Sequence, residues 1–317
     1  MKGLSIVIPY YKGSRFIFNC IDSLLDSYNL SQKEILFEII IIVDSPDEYK
    51  ESNIDINSYY GNPDLITIII NDRNMGVAVS RNKGLAASKY NYVTFIDQDD
   101  QVMHCYFSKL SNSLNKYHCI MINGYWHYKQ RKLYRKLYYI KPDLTIKAII
   151  CKTFSFWTPG LLILNKEKVK IDTFFIDVSD KYKGCDDWAA MLNMALKYSP
   201  INFLYIKTPL FIINRHEENF SNNEEQMVLC QIAGFKYFRK LVGKKNKKII
   251  DRVIKINEFR FLKRFRSLSK IEILRNYKRV YLLYLFNKWG YIKYPVYKIR
   301  KILDQLTNNK WIKLRKI

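Results

Sequence analysis

The sequence lacks the features that define several common classes of protein. Its six cysteines are scattered, with no CxxC pair, which argues against a structural zinc site or a disulfide framework and favours a reducing compartment. No stretch approaches the ~18 consecutive apolar residues that a membrane-spanning helix needs. The N-terminus does not show the basic, apolar and cleavage-site pattern of a signal peptide. We therefore expect a cytoplasmic protein.

Acidic residues are scarce in the last quarter of the chain. Residues 1–234 carry 27 Lys and Arg against 25 Asp and Glu, whereas residues 235–317 carry 26 against four. Within this basic segment apolar residues recur at three- and four-residue spacings, as in the stripe Ile273, Tyr277, Val280 and Tyr284, which predicts amphipathic helices. We therefore predict a nearly neutral body over residues 1–226 and a basic helical region over residues 227–317.

The body contains four short apolar runs rich in β-branched residues, separated by turn signals and by segments of helical period. Because these runs show no alternation of apolar and polar residues, they predict strands that are buried on both faces. This order predicts an α/β fold with a Rossmann-like, mostly parallel sheet and flanking helices. Ligands bind such sheets beyond the carboxyl ends of the strands. The runs are Leu4–Tyr11, Phe37–Ser45, Asp64–Asp72 and Tyr90–Asp97.

Carboxylates follow two of these predicted strands. Asp44 ends the second run, and the fourth run leads into FIDQDD, which carries Asp97, Asp99 and Asp100. Three carboxylates in four residues repel one another, and burying them is costly unless a cation compensates their charge. A hard divalent ion takes oxygen ligands, often one or two carboxylates together with substrate phosphates. A solvated acidic loop with a helix cap is the alternative.

Six motifs follow one another along the chain: LSIVIPYY, IIIIVDS, NMGVAVSRNKGL, FIDQDD, CDDW and NRHEENFS. In order and in approximate spacing they resemble the motifs of family 2 glycosyltransferases. The resemblance extends over about residues 3–222 and implies a GT-A fold and inverting sugar transfer from a nucleotide-diphosphate sugar. The glycine spacing matches neither a dinucleotide-binding G-x-G-x-x-G motif nor a P-loop.

The resemblance implies a metal ion and a set of donor contacts. Asp99 would hold Mn²⁺ or Mg²⁺ against the donor diphosphate, with Asp97 and His216 as further ligands. A UDP-sugar is the expected donor. The residues expected to bind it are Pro9, Tyr10, Asp44, Asn74, Gly76, Arg81, Asp97 and Arg215. For Arg81 an unspecialised surface position is an equally good interpretation, and His216 is as well explained without a ligand.

The resemblance also implies a base and an acceptor side. Asp187 is the expected base that removes the proton of the acceptor hydroxyl, and Asp186 is the second choice. Trp157 or Thr158 would lie near the acceptor sugar, although a core strand after a turn explains their segment equally well. The expected acceptor is a glycan or a polyprenyl-linked saccharide, which places the protein on the inner face of the cell membrane.

Two basic stretches allow other interpretations. Residues 124–141, GYWHYKQRKLYRKLYYIK, mix aromatic and basic side chains, a composition that suits single-stranded nucleic acid. The basic C-terminal region suits an anionic membrane surface, or helices that pack on the body with only their outer face basic. We expect a membrane partner and no nucleic acid. A nucleic-acid-binding protein and a catalytically silent scaffold are the alternatives to a metal-dependent glycosyltransferase.

Overall fold

The computed structural model describes most of the chain up to residue 265. The described ranges are 3–62, 64–111, 113–114, 117–128, 133–138, 140–151, 158–170, 173–179, 181–182 and 184–265. The chain divides into two compact units. The first contains residues 1–149, 153–176 and 186–216, and the second contains residues 150–152, 177–185 and 217–317.

A single mixed sheet forms the centre of the first unit. Its order is β3-β2-β1-β4-β8-β6-β9-β5, and β7 pairs with the outer half of β6. The strands of the described residues are β1 (Gly3–Tyr10), β2 (Leu36–Val43), β3 (Ile66–Ile70), β4 (Tyr92–Phe95), β5 (Gln101–Val102), β6 (Cys119–Tyr128), β7 (Leu133–Lys136), β8 (Leu162–Asn165) and β9 (Phe203–Arg215).

Helices follow and separate the strands. In the described residues they are α1 (Ile17–Asn29), α2 (Pro46–Glu51), α3 (Ile56–Tyr60), α4 (Val77–Ala87), α5 (Tyr106–Leu110), α6 (Ile146–Ile150), α7 (Asp186–Tyr198), α8 (Glu224–Leu241) and α9 (Lys244–Phe265). Helix α4 packs closely on β1 and β2. A Cβ added at Gly84 would lie 2.2 Å from Cγ1 of Val7, so only glycine allows this approach.

The predicted parallel α/β core is confirmed in the first four strands. β3, β2, β1 and β4 are all parallel, and β2 is buried along nearly its whole length. This burial explains why the run had no polar alternation. The other half of the sheet is more mixed, because only β6 and β9 are parallel there.

Two short helices between β2 and β3 were not predicted. Helix α2 begins with Pro46 in its first turn, and α3 is capped by Asp55, whose side chain accepts a hydrogen bond from the Ser58 N–H at 2.9 Å. Each is too short to show a helical period in the sequence. Local signals in the first turn, a proline in α2 and an aspartate cap in α3, therefore mark the starts of these helices.

In the second unit, α8 and α9 pack against each other. Several of their apolar side chains are buried, among them Phe235 and Phe238 on α8 and Ile250 and Phe259 on α9. Ion pairs join the two helices, with Arg239 bonded to Asp251, Lys236 to Glu258 and Arg264 to Glu224.

None of the described helices is long and apolar enough to cross a membrane. The predicted stripe from residue 273 to residue 284 lies outside the described residues.

Candidate active site

The carboxyl ends of the parallel strands bring the predicted acidic residues to one edge of the sheet. β1 and β2 end together, because Tyr10 is paired with Val43, and Phe95 of β4 is paired with Val7 of β1. Asp44 follows β2 directly, and the acidic loop of residues 97–100 follows β4. This edge is the place where open α/β sheets bind their ligands.

Arg81 of α4 connects this edge to the start of α7. Its guanidinium group donates one hydrogen bond to Asp186 Oδ2 and another to Asp97 Oδ1. Arg81 is only 4% exposed. Burial alone would lower the pKa of Arg81, but the charges of Asp186 and Asp97 raise it above its ordinary value. The buried cation is therefore held by two carboxylates that are 89 residues apart in the chain.

Asp97 has a second partner in Thr158. The Thr158 hydroxyl donates to Asp97 Oδ2 at 3.2 Å, and Thr158 is buried just before a single 3₁₀ turn, Pro159–Leu161. Burial raises the pKa of Asp97, and Arg81 opposes this effect. Thr158, which was expected on the acceptor side, thus contacts an expected metal ligand. Trp157, the other expected acceptor-side residue, lies outside the described residues.

The end of β9 holds the rest of the acidic loop. His216 Nε2 lies 2.7 Å from Asp99 Oδ2, and the His216 ring stacks on Phe16 with ring centroids 4.7 Å apart. Asn214 donates from its side chain to the Asp99 carbonyl at 2.7 Å and from its backbone to Asp100 Oδ1 at 3.0 Å. Burial raises the pKa of Asp100, and the charges of Asp99 and Asp97 add to this shift.

These side chains fit a divalent ion only in combination with substrate oxygens. In the part of the chain that the structure describes, no three His, Cys, Asp or Glu side chains converge as a complete metal site. Asp99 and His216 offer one oxygen and one nitrogen side by side. Magnesium is commonly held by one or two carboxylates together with substrate phosphates. The metal-ligand atoms of Asp99 and His216 therefore suit an ion that binds together with the diphosphate of a substrate.

The two carboxylates that open α7 differ in environment. Asp186 is 6% exposed and is bound to Arg81. Asp187 is only half-buried, and its Oδ1 accepts a hydrogen bond from the Trp188 N–H at 2.6 Å. Burial and then the charge of Asp186 raise the pKa of Asp187 to about 7. A carboxylate with a pKa near neutrality can both take and release a proton at that pH.

Asp44 holds the loop that leads into α4. Its Oδ1 accepts from the Asn71 side chain at 2.8 Å and from the Met75 N–H at 2.7 Å, and its Oδ2 accepts from the Gly76 N–H at 2.9 Å. Gly76 has a φ of +89°, which glycine adopts without strain. Asn74 is exposed on this loop. The expected contact of Asp44 with the nucleotide base stays a prediction.

Tyr10, the last residue of β1, and Tyr11, which follows it, differ in exposure. Tyr10 is fully buried and donates to Glu48 Oε1 at 3.2 Å, while Pro9 is half-buried. Tyr11 is 46% exposed at the edge. The Gln98 side-chain amide pairs with the backbone of Tyr11, accepting from its N–H at 2.9 Å and donating to its carbonyl at 2.8 Å.

The remaining predicted donor contact, Arg215, lies at the end of β9. Its guanidinium group lies over the Trp126 ring, 4.8 Å from the ring centroid.

Sequence reasoning missed three residues that organise the site: Gln98, Asn71 and Asn214. Gln98 occupies the variable position between Asp97 and Asp99, so residue type gave no signal for it. Asn214 is the first residue of the motif NRHEENFS, but no role was assigned to it.

Comparison with known proteins identifies the family. The family model described as "Glycosyl transferase family 2" matches residues 5–171. This chain belongs to glycosyl transferase family 2. Among curated relatives, the uncharacterized glycosyltransferase EpsJ of Bacillus subtilis is 33% identical over 150 residues, which cover 47% of this chain and 40% of EpsJ.

A second relative and two solved structures extend the comparison. The poly(ribitol-phosphate) β-N-acetylglucosaminyltransferase TarP of Staphylococcus aureus is 28% identical over 189 residues, or 57% of this chain and 56% of TarP. The chain thus spans less than two thirds of EpsJ and of TarP. The crystal structure of S. aureus TarS 1-349 has a TM-score of 0.59 at 16% identity and covers 90% of this chain and 81% of TarS 1-349.

TarS has also been solved in complex with UDP-GlcNAc. That structure matches with a TM-score of 0.58 at 16% identity over 90% of this family 2 chain and 79% of the TarS chain. At this level of identity the match concerns the fold, and the predicted GT-A architecture is confirmed.

Proposed function

We propose that this family 2 protein transfers a sugar from a nucleotide-diphosphate donor to a hydroxyl group of a glycan acceptor, with inversion at the anomeric carbon. The observation that carries the proposal is the ion-pair chain Asp97–Arg81–Asp186. It ties the acidic loop to the start of α7, where the pKa of the neighbouring Asp187 is about 7.

Asp187 is the proposed base. In an inverting reaction the acceptor oxygen attacks the anomeric carbon as the bond to the diphosphate breaks, and the acceptor proton passes to a base on the face opposite the leaving group. Asp187 is half-buried and is not held by Arg81. Asp186, in contrast, is held in an ion pair with Arg81.

The proposed donor is a UDP-sugar at the edge formed by β1, β2 and α4. The exposed side chains of Tyr11 and Asn74 lie there as proposed contacts. Arg215, another proposed contact, is half-buried at the end of β9. Family membership supports a sugar donor, and the solved complex of TarS with UDP-GlcNAc is consistent with this choice of nucleotide. Arg81 would act on the donor through the carboxylates that it orders.

Mn²⁺ or Mg²⁺ is the proposed cofactor, held by Asp99 and His216 with Asp97 nearby. When bound, such an ion offsets the negative charge that builds up on the departing nucleotide diphosphate. The protein itself orders this site. Asn214 fixes the backbone of Asp99, and Phe16 stacks on His216.

The proposed acceptor is lipid-linked, and the proposed location is the cytoplasmic face of an anionic membrane. The support is the basic surface of α9, where Lys244, Lys245, Lys248, Arg252 and Lys255 are all exposed. Because the apolar residues of α9 are largely buried, contact through this helix would be electrostatic. We propose no nucleic-acid partner.

A calorimetric titration of the purified protein with UDP, GDP, dTDP and CMP, each with and without Mn²⁺, tests the proposal. We expect one nucleotide, UDP, to bind, and to bind only with the metal. The Asp99→Ala variant should lose this binding, because it removes an expected metal ligand. Failure of every nucleotide to bind, with or without Mn²⁺, would contradict the proposed activity and favour a silent scaffold.

A further inference from the structure

Part of the aromatic and basic stretch 124–141 lies beside the acidic loop, although the proposed chemistry does not use it. β6 ends within this stretch at Tyr128. It pairs antiparallel with β7 on one side and parallel with β9 on the other. β9 in turn holds the acidic loop through Asn214. The aromatic stretch is therefore one strand away from Asp99.

Strand register sorts the side chains of this region into two faces. His127 is paired with Tyr134 of β7 and with Asn214 of β9, so these three side chains share a face. Successive side chains of a strand point to opposite faces. Tyr125, two residues before His127, consequently belongs to the same face, whereas Tyr128 belongs to the opposite one.

Three rings on the first face form what we call the aromatic corner: Tyr125, His127 and Tyr134. The rings of His127 and Tyr134 are stacked, with centroids 4.4 Å apart and planes 7° apart. The ring of Tyr125 meets Tyr134 nearly at a right angle, with centroids 6.2 Å apart and planes 82° apart. All three side chains are half-buried. Each of the three side chains therefore keeps part of its area exposed.

Hydrogen bonds connect the aromatic corner to the acidic loop and determine the tautomer of His127. Asn214 uses its side-chain N–H to donate to the Asp99 carbonyl, so its Oδ1 is an acceptor. His127 Nδ1 lies 2.7 Å from that oxygen and must therefore carry the proton. In the neutral ring Nε2 is then an acceptor, which suits a hydroxyl donor.

We propose that the aromatic corner is a subsite for a pyranose ring of the acceptor glycan. A pyranose has an apolar C–H face and a rim of hydroxyl groups. Aromatic side chains with polar tips match both, because the rings offer apolar area and the Tyr134 hydroxyl and His127 Nε2 offer hydrogen bonds.

The position of the corner assigns it to the acceptor side. The expected nucleotide contacts lie mainly on β1, β2 and α4, in the parallel half of the sheet, whereas the corner is built on β6 and β7 in the mixed half. The acidic loop and Asn214 lie between these two groups of residues. This subsite rests on the proposed function for its role, because only a sugar-transfer enzyme has an acceptor glycan to hold.

Saturation-transfer NMR tests the subsite with four probes: methyl β-D-glucopyranoside, methyl N-acetyl-β-D-glucosaminide, sorbitol and oligothymidylate. We expect the full chain to transfer saturation to the ring C–H protons of at least one glycoside. Tyr134→Leu should abolish this signal, because it removes the aromatic face while keeping apolar bulk in the strand. Tyr128→Leu, on the opposite face of the same hairpin, is the matched control and should retain the signal.

Each other outcome overturns the subsite. Equal signals from the wild type and Tyr134→Leu would place glycoside binding elsewhere, and the absence of signal from both glycosides would exclude a pyranose surface. Binding of sorbitol or oligothymidylate in place of the glycosides would indicate a polyol or nucleic-acid surface. If Tyr134→Leu unfolds at a lower temperature than the wild type, Tyr125→Leu replaces it, with the same expected loss.

A parallel titration with UDP and Mn²⁺ separates this inference from the proposed function. Tyr134→Leu should bind UDP as the wild type does. Glycoside binding without UDP binding would leave the subsite standing and remove the proposed activity. UDP binding without glycoside binding would do the reverse.

Discussion

The carboxylates of the two units experience opposite environments. At the sheet edge of the first unit, Asp97, Asp100 and Asp187 have pKa values raised chiefly by burial, and Arg81 is the buried cation that pairs with the acidic residues there. In the second unit, Asp251 is exposed and its hydrogen bond to Arg239 lowers its pKa. In the second unit, ion pairs join the two helices α8 and α9. The sheet edge holds charge at an energetic cost, which is characteristic of sites that do chemistry.

The largest effect is expected for Asp187→Asn, which removes the proposed base from the sheet edge while keeping a side chain of the same shape. Transfer should fall by about 10²–10⁴-fold, because the amide cannot take the acceptor proton. Product formation at saturating donor measures the loss, and UDP affinity and the unfolding temperature serve as controls. Full turnover by this variant would move the base to another residue.

Arg81→Leu should have the next largest effect, on stability. The substitution leaves Asp97 and Asp186 without their shared cation, and removing one member of a buried ion pair costs about 3–5 kcal/mol of unfolding free energy. Denaturant unfolding measures this loss. Adding Asp186→Asn should recover part of it, because the two residues are coupled. A loss below about 1 kcal/mol would mean that the pair behaves like a surface ion pair.

A smaller effect is expected in the pH dependence of transfer, which tests the raised pKa of Asp187 at the sheet edge. Because Asp187 must be deprotonated to act, kcat/KM should rise about tenfold per pH unit below its pKa of about 7 and level off above it. Initial rates in a set of overlapping buffers give the profile. A profile that stays flat through neutral pH would contradict a base with this pKa.

The smallest effect is expected for Asp251→Asn in the second unit. Its partner Arg239 lowers the pKa of Asp251, so the stabilisation is present at neutral pH and disappears as the pH falls through that lowered pKa. Wild type and variant should therefore differ slightly in unfolding temperature at neutral pH and coincide in acid. Transfer activity should be unchanged. A large neutral-pH difference would show that the exposed pair matters more than such pairs usually do.

The parallel core was predictable because strands that are buried on both faces have uninterrupted apolar sequences. The unalternated apolar runs located β1 to β4 within a few residues, and the strand order placed Asp44 and Asp97 at one edge. Helices α2 and α3 were not predictable from periodicity, since they contain only six and five residues. The helical prediction for the basic region is confirmed for α8 and α9, the part that is described.

Within the site, residue type identified the carboxylates but not their partners. Asp186 and Asp187 are adjacent and identical in chemistry, and only the packing of α4 shows that Asp186 faces Arg81. In the same way, residue type does not distinguish the buried Tyr10 from the exposed Tyr11.

The sequence by itself determined the family, the parallel core and the carboxylate-rich edge, because periodicity and motif order are properties of neighbouring residues. Tertiary structure decided which carboxylate is neutralised, which tyrosines share a face with His127, and how Gln98 pairs with the backbone of Tyr11. These outcomes depend on strand register and on burial, and both arise from contacts between different segments of the chain.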